Sequence, residues 1–248
     1  MKRKIYKELV NWKNTELGRT ALLIDGARRV GKSYIAEEFA KNEYKSYIMI
    51  DFNRASEDIK DLFANYLEDL DMLFMYLSNF YNVKLYERET LFILDEVQLC
   101  PKARAAIKYL IADGRYDYLE TGSLMTIKKN VKDILIPSEE RHIKMYPLDF
   151  EEFLWALDCE SFMEQIKTCF EKKQAMGQAF HRKAMDYFRQ YLIVGGMPQA
   201  VAEYIDTKVY SKGMRESGTP LTAASLGLSY HNRGWFIDIA GKYYDRIY

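Results

Sequence analysis

The sequence predicts an α/β fold: a mostly parallel five-stranded sheet flanked by helices, followed by a small all-helical region. Three observations predict it. Short apolar runs alternate with segments of helical spacing from about residue 20 to 150, the pattern of right-handed βαβ crossovers. The run LFILDE (91–96) is almost wholly apolar, as in a strand covered on both faces. After about residue 149 the strand-like runs cease and helical spacing continues alone.

The elements follow in order. In MKRKIYKELVNWK, Ile5, Leu9 and Trp12 recur at helical spacing, so the chain opens on an amphipathic helix. That stretch lacks the apolar centre of a secretory leader. TALLID (20–25) is the first strand and ends at a glycine turn; KSYIAEEFAKN (32–42) is the helix after it. KSYIMIDF (45–52) is the second strand. Residues 55–80 read as one or two amphipathic helices, with Ile59, Leu62, Phe63, Tyr66 and Leu67 on one face. LFILDE is the third strand, and PKARAAIKYLIADG (101–114) is a helix with Pro near its start and Gly at its end. YDYLETGS (116–123) and RHIKMYPL (141–148) are the fourth and fifth strands.

DFEEFLWALD, SFMEQIKTCFEKK and FHRKAMDYFRQYLIV read as helices; a Gly-Gly-Met-Pro break at 195–198 and the short helix QAVAEYID follow. The expected domains are therefore a core with its N-terminal helix over 1–149 and a helical region over 150–208. Residues 209–248 are glycine-scattered and weakly periodic, and read as an atypical tail, truncated or disordered.

Composition excludes several classes. Lys+Arg and Asp+Glu both total 36, for a formal net charge of zero. No overall field draws the chain to nucleic acid or to a membrane surface. The local basic clusters, Lys128, Lys129 and Lys132 in one loop and Lys102, Arg104 and Lys108 on one helix, read as solvated faces. Cys100, Cys159 and Cys169 are widely spaced without a CxxC, which fits reduced thiols in a cytoplasmic protein. His142, His181 and His231 sit in no metal-ligand spacing. No apolar run approaches the roughly 18 residues of a membrane-spanning helix.

Chemistry concentrates in three places. Gly26-Ala27-Arg28-Arg29-Val30-Gly31-Lys32-Ser33 matches G-x-x-x-x-G-K-[ST], between a strand and a helix. Its glycines let successive N–H groups turn inward onto phosphate oxygens, and the helix N-terminus adds a favourable dipole. Lys32 is expected to reach the β/γ-phosphates and Ser33 to ligate Mg²⁺; Tyr34 completes the nucleotide-binding stretch. The second place is Asp95-Glu96, at the C-terminal edge of a buried strand about 60 residues downstream. Asp95 is expected to hold Mg²⁺ through water, and Glu96 to orient or deprotonate an attacking water. That second acid points to hydrolysis. No N-K-x-D guanine-reading motif occurs, so ATP is the expected nucleotide.

The third place is Thr121-Gly122-Ser123, at the end of the strand expected between the other two. Thr121 or Ser123 is the candidate for a bond to the γ-phosphate or the water; turn chemistry is the alternative. Arg141 is the first candidate to complete the charge stabilisation and Arg104 the second, while Arg28 and Arg29 occupy variable loop positions.

On GARRVGKS, LFILDEVQ with PKARAAIKYL, ETGSL, MYPLDFEEFL and IVGGMPQAV, residues 1–208 resemble the prokaryotic AAA-type P-loop ATPases that carry a C-terminal domain of unknown function. The resemblance implies an additional-strand P-loop NTPase core of sheet order 5-1-4-3-2, ATP and Mg²⁺ binding, and a helical region behind it. This chain has Glu140-Arg141 where the family often has Gly-Arg, and about 50 residues follow the GG-x-P break where the family has a full domain. The leading expectation is a Mg²⁺-dependent AAA-type ATPase, a homo-oligomer or a partner of another protein. The alternatives are a nucleotide-dependent switch or scaffold with little turnover, and a nucleic-acid-associated motor.

Overall fold

The computed structural model describes residues 1–122 and 139–207, with the backbone of 223–232 and 235–244. Ser123, Lys128, Lys129, Lys132 and the stretch 208–222 lie outside the described residues.

The chain runs through helix α1 (Ile5–Glu16), strand β1 (Ala21–Gly26), α2 (Lys32–Glu43), β2 (Ser46–Asp51), α3 (Glu57–Asn65) and α4 (Leu70–Tyr81). β3 (Thr90–Asp95), α5 (Pro101–Asp113), β4 (Asp117–Gly122) and β5 (Glu140–Met145) complete the sheet. Then come α6 (Phe150–Ala156), α7 (Glu160–Glu171), α8 (Gln178–Val194) and α9 (Pro198–Thr207). Met1–Thr207 form one compact unit, so the helical region belongs to the same body as the sheet. The second unit, Lys208–Tyr248, holds an antiparallel pair, β6 (Ala223–Asn232) and β7 (Trp235–Tyr244). Strands therefore stand where weak periodicity predicts an atypical tail. Among the described residues no helix is long and apolar enough to cross a membrane.

The five strands are all parallel, in the order β2-β3-β4-β1-β5. This is the expected 5-1-4-3-2 order. Side chains alternate across a strand, and that alternation sorts the core into two layers. Leu22, Ile24, Leu91, Ile93 and Leu119 face α1 and α2, where Ile5, Leu9, Trp12 and Phe39 are buried. Leu23, Ile50, Phe92, Leu94 and Tyr118 face α3 to α5, against Phe63, Leu73, Phe74 and Ile107. Each such side chain contributes about 1.5–3 kcal/mol on burial, which is why the central strands read as continuous apolar runs.

The stretch 55–80 divides into two helices because two side chains compete for backbone N–H groups. Ser56 accepts from the Ile59 N–H (3.5 Å) to start α3, and Asp69 accepts from the Met72 N–H (3.1 Å) to start α4. Ile59 and Phe63 are buried, and Leu62, Tyr66 and Leu67 pack against the same layer.

Arg104, a candidate for phosphate contact in the sequence, lies instead in the core. It is 1% exposed, with Nη1 2.9 Å from Glu120 Oε2 and Nη2 2.9 Å from Glu140 Oε2. One guanidinium between two carboxylates leaves a surplus negative charge out of water. Burial, with the Glu140 charge beside it, pushes the Glu120 carboxyl up to about 8 from an ordinary 4.5. The folded state therefore binds a proton that the unfolded chain has released. Its stability should fall as pH rises between about 4.5 and 8. In Glu120→Gln this downward slope should flatten, which denaturant melts at several pH values would read. An unchanged slope would contradict the account.

Candidate functional site

The phosphate-loop glycines are dictated by space and backbone. A Cβ on Gly26 would sit 2.2 Å from the Met145 carbonyl oxygen, so only glycine lets β1 close against β5 here. Gly31 caps α2 at φ 93°, in the left-handed region that other residues rarely adopt. Between them Ala27, Arg28 and Arg29 are exposed, Arg29 at φ 66°, and Val30 is buried in the layer under α1 and α2. Valine anchors the loop; the arginines point to solvent.

Register brings the other candidates to the same edge. Gly26 is opposite Met145, Asp25 opposite Gly122, and Leu94 opposite Glu120, so Gly26, Asp95 and Thr121 end their strands together. Ser33 Oγ donates to Asp95 Oδ1 at 2.7 Å, and Thr121 Oγ1 donates to the same oxygen. The Thr121 hydroxyl also accepts from the Glu96 N–H at 3.2 Å. Burial raises the Asp95 carboxyl above the usual carboxylate range, while the two hydroxyl donors pull it back. Lys32, 5% exposed, donates to the carbonyls of Gly26 (3.1 Å) and Ala27 (2.9 Å). Burial lowers its pKa, opposed by the charges of Glu96, Asp95 and Asp25. Glu96 turns out of the strand at φ 54° and accepts from the Gln98 side-chain amide.

This donor set fits a hard cation. A hydroxyl and a carboxylate oxygen meet at one edge, beside a loop whose Gly26 leaves no room for a Cβ. Among the described residues no group of three or more His, Cys, Asp or Glu forms a metal cage. Such a pair suits Mg²⁺, which takes its remaining ligands from phosphate and water.

Residues 18–154 match the family described as an AAA domain. The chain belongs to that family. An uncharacterised protein of Methanocaldococcus jannaschii is 23% identical over 219 residues, covering 86% of this chain; the chain spans 44% of that relative's length. Among solved structures, the Walker-type ATPase of Pyrococcus abyssi is similar at 15% identity and TM-score 0.42, covering 84% of this chain and 68% of that one. AMPPCP-bound DnaA from Aquifex aeolicus is similar at 16% identity and TM-score 0.43, covering 82% and 59%.

Two expected residues of this AAA domain are not brought to the edge. Arg141 is opposite Leu22, four positions before Gly26 meets Met145, hence roughly 13 Å down the strand at ~3.3 Å per residue. Its guanidinium pairs with Glu16 of α1 at 2.7 Å. A residue at the start of a parallel strand cannot serve the other end of its own sheet. Tyr34 follows Ser33 but is half exposed, its hydroxyl 3.4 Å from the N-terminal amine of Met1.

Two residues at the edge have no role expected from the sequence. Gln98 is one. Arg3 is the other, 8% exposed, with Nη1 donating to the Val30 carbonyl (2.9 Å) and Nη2 to that of Tyr146 (2.5 Å). Its Nε lies 3.2 Å from Glu152 Oε1, an ion pair without hydrogen-bond alignment. Glu152 also closes the capping box of α6 with Asp149, so one guanidinium ties the phosphate loop, the end of β5 and the helical region together. The D-x-x-E of the capping box was the one local signal for this contact.

The placement of Arg141 sets a direct expectation for binding within one copy. Arg141→Ala should leave the affinity for a non-hydrolysable ATP analogue within about twofold of wild type, a change well under 1.4 kcal/mol. A tenfold loss at protein concentrations where the chain is monomeric would contradict the placement.

Proposed function

We propose that this AAA domain is a Mg²⁺-dependent ATPase that converts ATP and water to ADP and inorganic phosphate. The observation that carries this reading is the convergence of Ser33, Asp95, Thr121 and Lys32 on one sheet edge, with Glu96 next in the chain. A bound Mg²⁺ would offset the charge that builds up on the phosphate oxygens. Ser33 and Asp95 would hold it.

Each residue then has a task. The N–H groups of Gly26–Ser33 and the dipole of α2 bind phosphate oxygens. Lys32 exchanges the Gly26 and Ala27 carbonyls for the β- and γ-phosphates, contacts it can make only once phosphate displaces those carbonyls. Glu96 takes the proton of the attacking water as its oxygen bonds to the γ-phosphorus; the bond from that phosphorus to the bridging oxygen breaks, and inorganic phosphate and ADP leave. Thr121 holds the Glu96 backbone in place and shares Asp95 with Ser33.

A groove of about 450 Å³ lies beside Arg3, lined by Tyr6, Ile35, Asn42 and Trp155. Its apolar walls suit the planar base of the nucleotide. A homo-oligomer is the assembly in which Arg141 reaches a phosphate. The free cysteines Cys100, Cys159 and Cys169 suit a cytoplasmic setting.

Two variants test the reading. Lys32→Ala should weaken ATP binding about tenfold to hundredfold, the worth of a charge-assisted contact of about 1.5–3 kcal/mol. Glu96→Gln should bind ATP as wild type does yet lose turnover by about 10²–10⁴-fold. Binding would be read by calorimetry and turnover by phosphate release. An intact chain that binds ATP without hydrolysing it would overturn the reading in favour of a nucleotide switch.

A further inference from the structure

Two locally unfavourable features meet at the Glu96 side chain. Glu96 itself adopts the left-handed backbone, at φ 54°, at a position where glycine would fit at no steric cost. Two residues on, in the 3₁₀ turn Val97–Leu99, Gln98 is 3% exposed. Its side-chain N–H donates to Glu96 Oε2, while its own carbonyl Oε1 is buried without a hydrogen-bond partner. An orphaned buried carbonyl costs stability, and an unbranched apolar side chain of the same length would avoid that cost. The Glu96 carbonyl accepts from the Leu99 N–H at 2.9 Å to start that turn, yet the turn itself requires neither a carboxylate at 96 nor an amide at 98. Both side chains are explained if the carboxylate has to point one way.

We propose that Gln98 is a positioning residue for hydrolysis. Its amide holds the Glu96 carboxylate in the orientation from which it takes the proton of the attacking water. The left-handed turn at Glu96 swings the chain out of β3 so that the amide can meet the carboxylate two residues back. The Glu96 N–H, bonded to Thr121 Oγ1 at 3.2 Å, fixes the backbone end of the same residue. Glu96 is thus held at both ends, by Thr121 through the backbone and by Gln98 through the side chain. Gln98 touches neither nucleotide nor metal in this scheme and acts through Glu96 alone. The inference rests on Glu96 being the base of an ATPase.

The test compares wild type, Gln98→Met, Glu96→Gln and the double variant, by steady-state and single-turnover ATP hydrolysis and by thermal melting. Gln98→Met keeps the length of the side chain and removes both the amide donor and the orphaned carbonyl. It should melt at or above the wild-type temperature, with KM for ATP within about twofold and kcat lowered about tenfold to hundredfold, the scale of an ångström-level misplacement. In the Glu96→Gln background the same substitution should cause no further fall, because its route is gone. Gln98→Asn keeps the amide but retracts it by one methylene, and should lose kcat as well even if the Met variant folds poorly.

A well-folded Gln98→Met or Gln98→Asn with wild-type kcat would overturn the positioning role while leaving the ATPase reading intact. So would an undiminished fall in the Glu96→Gln background. Wild-type protein that binds ATP but never turns it over would overturn both.

Discussion

A single carboxylate oxygen organises the functional edge of this sheet. Asp95 Oδ1 accepts from Ser33, on the first turn of α2, and from Thr121, at the end of β4. A buried carboxylate is tolerated only where donors replace the water it has lost. These two hydroxyls are such donors, and by supplying them the phosphate loop and β4 are drawn onto β3. Around that oxygen, Lys32 is held by loop carbonyls rather than by a carboxylate. The edge therefore carries a cation free to exchange its partners and a carboxylate whose partners are hydroxyls. Both can turn to a phosphate and its metal without breaking an ion pair first.

The helical region is tied to this edge. Arg3 reaches Val30, Tyr146 and Glu152, and the Leu148 N–H donates to the Gly196 carbonyl at 2.7 Å. Pro198, at the start of α9, would lie 3.7 Å from a Cβ on Gly31. The loop that receives phosphate is thus bounded by the β5–α6 connection and by the Gly-Gly-Met-Pro break. A shift of the loop on binding would be felt in α6 and α9, through contacts that are mostly to backbone carbonyls.

Most of the sheet was legible in the sequence because it rests on short-range rules: apolar runs closed by glycine, and a glycine–lysine–serine spacing with a narrow set of backbone solutions. Asp95 and Thr121 could be placed because the last residue of a buried parallel strand must lie at the ligand edge. Arg104 and Arg3 were not legible. Arg104 turns inward because Glu120 and Glu140, 16 and 36 residues away, both face it, and no local pattern reports such a pairing. Arg141 begins its strand, and the rule that placed Asp95 puts it at the far end. Arg3 binds mainly carbonyls, which have no side-chain signature. Gln98 stood in plain view after Asp95-Glu96, but its meaning depends on the left-handed backbone of Glu96.

The claim at the centre of this account is that Asp95, beside Ser33, would hold the metal of a bound Mg·ATP. Titration calorimetry of a non-hydrolysable ATP analogue, with and without Mg²⁺, on wild type and Asp95→Asn measures its contribution. The account predicts that Mg²⁺ tightens binding to the wild type by about tenfold or more, some 1.4 kcal/mol. In Asp95→Asn this increment should vanish while metal-free binding persists. Equal Mg²⁺ increments in the two proteins would contradict it.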